Sequence, residues 1–264
     1  IGIKKPVAPR TAEAPAGIMI VAASDGTALG INVEEEAKAI AKGYRPRSRA
    51  LGTQASLQVE LVRRRRSVPN VGALIGPADG TEMVVLGAHY DHLGLGAEGS
   101  LESKPAGLIH NGADDNASGV AALLAVAKTL SKNQDLKRQV LLLFFAGEEA
   151  GLLGSAHYAK HPIQKMESHV AMLNLDMVGR LRDDRLMVFG VATAPEWTPL
   201  VDAYVGTHGL KPGYAGDGYG PSDHTSFYAA GVPVLHLFTG AHSEYHRATD
   251  DADTVNYAGL ARVA

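Results

Sequence analysis

Val140-Leu141-Leu142-Leu143-Phe144-Phe145-Ala146-Gly147-Glu148-Glu149 is an apolar run of strand length that ends in a glycine and two adjacent carboxylates. A carboxylate pair at the end of a buried strand is costly unless a metal or a proton-transfer task keeps it there. A strand running into a solvated acidic turn is the plainer alternative. The rest of the chain decides between them.

Three other segments repeat the arrangement of apolar run followed by a metal-ligating residue. Met83 to Ala88 leads into His89-Tyr90-Asp91-His92, Val170 to Leu175 leads into Asp176, and Val234 to Phe238 leads through Thr239 to Tyr245 into His246. Gly112-Ala113-Asp114-Asp115-Asn116-Ala117-Ser118-Gly119 is a turn-rich loop that opens a helix, whose Val120, Leu123, Leu124, Ala127 and Leu130 share one face. In an open α/β sheet ligands bind in the crevice at the carboxyl ends of parallel strands, so side chains from separate segments can converge there. Two imidazoles and three carboxylates are then available. That inventory suits zinc, and five side chains serve two ions, about 3.5 to 4 Å apart, if one carboxylate bridges them.

His89-Tyr90-Asp91, the loop from Gly112 to Gly119, Gly147-Glu148-Glu149, Asn174-Leu175-Asp176-Met177 and Tyr245-His246 resemble, in order, the five signature blocks of metallopeptidase family 28, the co-catalytic dizinc aminopeptidases. Ser222-Asp223-His224 followed by Phe227 is similar to a sixth. The resemblance runs over residues 56 to 264. It implies two zinc ions per chain, with His89 and Asp176 on one, Glu149 and His246 on the other, and Asp115 bridging both. Glu148 is then the general base and Tyr245 a donor to the tetrahedral oxyanion. Asp91 resembles the aspartate that accepts the other N–H of the ligand imidazole. The Asp115-Asn116 bond falls where members have a cis peptide.

The fold expected is α/β: a three-layer α/β/α domain with a mixed, mostly parallel sheet and the metals at one edge, as in zinc aminopeptidases. Residues 56–264 form the peptidase domain. Residues 1–55 read as an N-terminal segment, either the remnant of a protease-associated-like accessory domain or an extension packed on the core. Within it residues 17–23 read as a strand and 33–42 as a helix. Further on, residues 195–207, 223–230 and 257–264 read as helices and 234–238 as a strand.

The activity implied is removal of N-terminal residues from peptides. A carboxypeptidase of the same family would need an Arg or Lys clamp, for which Arg180, Arg182 and Arg185 are the candidates. A dipeptidase, a single-zinc glutaminyl cyclase-like transferase and a non-catalytic binding homologue also compete with the aminopeptidase. An arginine that reads substrate in some members would fall just before Ser222, where this chain has Pro221. Of 11 histidines only His89 and His246 occupy ligand positions; His92, His224 and His242 lie near the blocks, as outer partners or structural groups.

With 264 residues, 45% hydrophobic and 20% charged, the chain can bury one sizeable core. A net charge of -3 argues against broad electrostatic binding to nucleic acid. Arg63 to Arg66 reads as the exposed end of an alternating edge strand that begins near Leu57. Cysteine is absent, which excludes disulfides and thiolate ligands. No apolar run approaches the roughly 20 residues that span a bilayer. The chain begins at Ile1 and reads as a processed product. The family resembled has many exported members, which points to an extracellular or periplasmic setting. Peptides with a free N-terminus are the partners expected.

Overall fold

The computed structural model describes residues 66–264 apart from 97, 106 and 134, and before them only Glu35 and Lys38, both helical. The strand expected over 17–23, the rest of the helix over 33–42 and the edge strand near Leu57 lie outside the described residues.

Seven strands form one sheet: β1 Val71–Ile75, β2 Met83–His89, β3 Gln139–Phe145, β4 His169–Leu175, β5 Arg185–Phe189, β6 Lys211–Ala215 and β7 Val234–Phe238. Their order is β1-β3-β2-β4-β7-β5-β6. The inner strands β3, β2, β4 and β7 are parallel, as are β5 and β6, while β1 pairs antiparallel with β3 and β5 with β7. The sheet is mixed and mostly parallel, as expected.

The inner strands are apolar on both sides because helices cover both faces. Met83, Val85, Leu141, Leu143, Phe145, Met172 and Val234 point to one face, against Tyr158 of α2 (Leu153–Lys160) and Phe227 of α4 (His224–Ala229). The alternate residues point to the other face. There Leu142 and Ala88 meet Leu123 of α1 (Gly119–Leu130). Leu235 and Val188 meet Trp197 and Val201 of α3 (Trp197–Val205), and Leu175 meets Leu260 of α5 (Tyr257–Val263). Period-two alternation thus builds the three layers.

The buried face of α1 differs in one residue from the periodic reading. Ala122 and Leu123 are buried, whereas Leu124 is 56% exposed. Adjacent helical residues lie about 100° apart, so a helix turned to seat Leu123 on Leu142 carries Leu124 to its outer side.

The topology also places the site. From β2 the chain crosses to β3, then returns past β2 to β4, so connections diverge on either side of β2 and leave a crevice at the carboxyl ends. Register aligns His89 with Phe145, and the pairing of Gly87 with Asn174 carries His89 level with Asp176. The expected metal residues therefore share one rim of the sheet, over its central strands.

The loop from Ala113 to Ser118 is locked to that rim by Asn116. Its Nδ2 donates to Leu175 O at 2.9 Å, and its Oδ1 accepts from Gly119 N at 3.0 Å and Met177 N at 3.3 Å. The Asp115-Asn116 peptide is cis, as the resemblance implies. Gly119 lies so close that an added Cβ would overlap Leu175 O and Asn116 Oδ1. A backbone carbonyl cannot step aside as a side chain can. Gly119→Ala is therefore expected to destabilise the fold by about 1 to 3 kcal/mol, the usual cost of overpacking. Equilibrium denaturation measures it, and an unchanged midpoint would count against this contact.

Candidate metal centre

Each side chain of the centre leaves a strand end or the loop beside it. His89 ends β2, and its Nδ1 donates to Asp91 O at 3.1 Å, so Nε2 is the nitrogen that faces inward. That Nε2 lies 3.3 Å from Asp115 Oδ1, 3.3 Å from Asp176 Oδ1 and 4.0 Å from Glu148 Oε2. His246 is arranged in the same way. Its Nδ1 donates to Gly99 O at 2.8 Å, and its Nε2 lies 3.1 Å from Glu149 Oε2 and 3.3 Å from Asp115 Oδ2. The two oxygens of Asp115 thus face two different imidazoles. Met177 and His246, with φ of 52° and 55°, sit in the left-handed region that such residues rarely adopt, as part of turns that aim Asp176 and the imidazole.

Carboxylates packed this tightly need positive partners. Burial works against ionisation of Asp115 and Asp176, yet hydrogen bonds and charge from the facing histidines hold both below the usual range. Glu149 is likewise held down to about 2 against its burial by His246 and His92. His89 is raised by Asp176 and Asp115, and His246 to about 10 by Asp115 and Glu149, both against burial. Glu148 differs. Burial, reinforced by Asp176, Asp223 and Glu149, lifts it to about 9 although His89 opposes this.

The donor set fits zinc. His89, Asp115 and Asp176 converge in one half, and Asp115, Glu149 and His246 in the other, all nitrogen or oxygen donors of the kind zinc accepts. Three carboxylates with two neutral imidazoles carry three negative charges, which a bound cation would counter.

A second tier of contacts sets the bridging loop. Asp250 is fully buried and accepts three consecutive backbone N–H groups: its carbonyl oxygen from Ala113 at 3.0 Å, and its Oδ2 from Asp114 at 2.9 Å and Asp115 at 3.1 Å. Arg180 stands 3.4 Å from Asp250 Oδ1 and 3.5 Å from Glu244, so its guanidinium is held in structural ion pairs. Asp114 accepts from Gly179 N at 2.6 Å and faces His242 Nε2 at 3.1 Å. Asp250 follows His246 by four residues and so ties the two ligand-bearing loops together.

The centre opens into a cavity of about 490 Å³. Asp115, Glu148, Glu149, Asp176, Tyr245 and His246 line it. Met177, Phe189, His236 and Phe238 line it as well. Tyr245 stacks on His246 with ring centres 3.8 Å apart, and burial together with the nearby carboxylates raises its hydroxyl, which stays protonated.

The sequence profile of peptidase family M28 matches residues 70–264. The chain belongs to peptidase family M28. A probable leucine aminopeptidase of Trichophyton verrucosum is 29% identical over 195 residues, covering 71% of this chain and 51% of that protein. The chain spans about half the length of the curated relatives it matches first. Among solved M28-like structures, the LapA aminopeptidase of Legionella pneumophila superposes with a TM-score of 0.61 at 25% identity, covering 74% of this chain and 52% of that one. The zinc aminopeptidase BSAP of Bacillus subtilis gives 0.60 at 25% identity, with 74% and 47% covered.

One residue of this M28 site acts differently from the sequence reading, and a second settles a reading left open. The Asp91 backbone carbonyl, not its carboxylate, takes the His89 N–H. The carboxylate lies 3.8 Å from that nitrogen and instead accepts from Glu148 N at 3.1 Å and Glu149 N at 3.3 Å. Gly147, at φ 71°, turns the chain after β3 and brings both amides to Asp91. His92, which the sequence leaves between outer partner and structural group, reaches Glu149 Oε1 at 2.7 Å. Asp115 Oδ2 is 4.0 Å from it, so His92 approaches only one of the two carboxylates closely.

Other histidines take structural roles, such as His110 with Ser100 and His169 with Tyr158. His224 is fully buried, and neither ring nitrogen has a partner among the described residues. It stacks parallel to His236 at 4.5 Å, and burial lowers it to about 3. His224 falls in the sixth block of the sequence, whereas no sequence signal separates His236 from surface histidines.

A histidine whose folded pKa is depressed binds its proton first in the unfolded chain, so stability falls as pH drops below about 6.5. His224→Phe removes that effect. The variant's stability relative to wild type is expected to improve by about 2 kcal/mol between pH 7 and pH 5, from some 1.5 pH units at about 1.4 kcal/mol each. Urea denaturation at both values measures it, and a pH-independent difference would contradict a neutral buried imidazole.

Proposed function

We propose that this M28 chain is a zinc-dependent aminopeptidase binding two zinc ions: one on His89 and Asp176, the other on Glu149 and His246, with Asp115 shared. In this reading the catalytic domain runs over residues 56–264, with 1–55 outside it, and the protein works outside the cytoplasm on peptides with a free N-terminus. Bound zinc supplies a Lewis acid that polarises the scissile carbonyl and makes water a nucleophile near neutral pH.

The remaining work belongs to the chain. Glu148 is the one central carboxylate without an imidazole hydrogen bond, 4.0 Å from His89 Nε2, which leaves its oxygens available to take a proton from the attacking water and pass it to the leaving amine. Asp91 positions Glu148 and Glu149 by accepting both amides. Tyr245, protonated at the cavity edge, is the donor for the developing oxyanion. His92 orients Glu149, and Asp250 orients the Asp115 loop.

The observation that carries the amino-terminal reading is the lining of the cavity. Asp115, Glu148, Glu149 and Asp176 line it, and no Arg or Lys among the described residues does. An N-terminal amine finds carboxylate acceptors there, whereas a C-terminal carboxylate would need a guanidinium. Arg180 is engaged by Asp250 and Glu244, and Arg182 by the carbonyls of Gly240 and Ala241.

Metal analysis with a panel of aminoacyl chromogenic substrates tests cofactor and activity together. Two zinc ions per chain and cleavage of free but not N-acetylated substrates are expected, and cleavage of blocked peptides alone would defeat the reading. Glu148→Gln should keep its metal and lose roughly 10² to 10⁴ in kcat. A kcat close to wild type would remove Glu148 from the mechanism.

A further inference from the structure

We propose that His236 presents a fixed N–H donor in the cavity wall and selects N-terminal residues whose uncharged side chain ends in a hydrogen-bond acceptor, glutamine being the best fit. This assignment rests on the aminopeptidase reading.

The donor follows from a relay of hydrogen bonds whose direction is set at one end. An ionised Asp176 can only accept. Ser222 Oγ lies 2.7 Å from Asp176 Oδ2, so the hydroxyl hydrogen is directed to Asp176. Ser222 must then accept from its other neighbour, Asn174 Nδ2, at 2.8 Å. This orients the Asn174 amide, and its second N–H is directed to His236 Nδ1 at 3.3 Å. The amide oxygen is left without a partner among the described residues. A ring nitrogen that receives an N–H carries no proton of its own, so the proton of a neutral His236 resides on Nε2. Burial lowers His236 to about 4, which keeps it neutral at pH 7.

Nε2 has no partner among the described residues, yet unlike both nitrogens of His224 it is not sealed from solvent. His236 is only 4% exposed and lines the cavity, so that opening faces the substrate space. The ring cannot swing away. His224 stacks on it at 4.5 Å, with Phe189 at 5.4 Å and Phe238 at 6.1 Å. Phe189 and Phe238 flank it, and Met177 and Pro221 are further apolar lining of the cavity.

A purely aliphatic side chain in this pocket strips water from the Nε2–H and offers nothing in exchange. One that ends in an acceptor restores the hydrogen bond. A cationic side chain would set donor against donor, and an anionic one would lose its hydration beside apolar groups for a single neutral donor in return. An apolar stem with a neutral acceptor at its tip satisfies both wall and donor.

The test compares kcat/KM for glutaminyl and norleucyl 4-nitroanilides in the zinc-loaded wild type and in His236→Phe, which keeps a ring in place without the N–H. The glutamine-to-norleucine ratio is expected to fall roughly 3- to 10-fold in the variant, the range for one neutral hydrogen bond. An unchanged ratio overturns the role of His236 and leaves the aminopeptidase reading intact. No cleavage of either substrate by the wild type overturns both. Independently of turnover and of the variant's folding, ¹⁵N NMR of the wild-type histidines at pH 7 should show His236 protonated on Nε2 alone. Protonation on Nδ1 overturns the donor.

Discussion

The shared carboxylate of Asp115 is the constraint on which the site depends. Its two oxygens face His89 and His246, each at 3.3 Å, from a loop with few freedoms left. Asn116 fastens one side of that loop to the end of β4 and the start of α1, and Asp250 holds three successive amides on the other. A bridging group must satisfy two centres at once, so a small displacement disturbs both. The density of buried hydrogen bonds around this loop answers that demand.

The same geometry explains how so much negative charge is kept at one rim. Buried carboxylates are costly when unpaired. Here the inward Nε2 atoms of two histidines, each anchored through Nδ1 to a backbone carbonyl, supply the partners. Glu148, outside those hydrogen bonds, is the carboxylate whose proton affinity rises rather than falls. Position relative to the imidazoles, not residue type, separates the carboxylates held low from the one that is raised.

Much of this was legible in the residues. Apolar runs ending in His, Asp or Glu identify strands whose carboxyl ends meet, and the M28 blocks imply a ligand set. The strand over 234–238 and the helices over 197–205 and 224–229 fall where periodicity puts them. Leu124 shows the limit of that method. A helical stripe wide enough to include it does not say which residue of the stripe meets Leu142, and packing chose Leu123.

The sequence by itself determined the layered α/β class, the family and which side chains are chemically able to hold metal. Those follow from local pattern and residue chemistry, properties that survive without knowing any distance. Only the tertiary structure decided that Asp91 serves two amides rather than an imidazole, that His92 meets Glu149, that Arg180 is held by Asp250 and Glu244, and that His236 faces the cavity. Each of these pairs residues far apart in the chain or chooses between backbone and side chain of one residue. Hydrogen-bond partners are set by competition in space, and linear order carries no record of it.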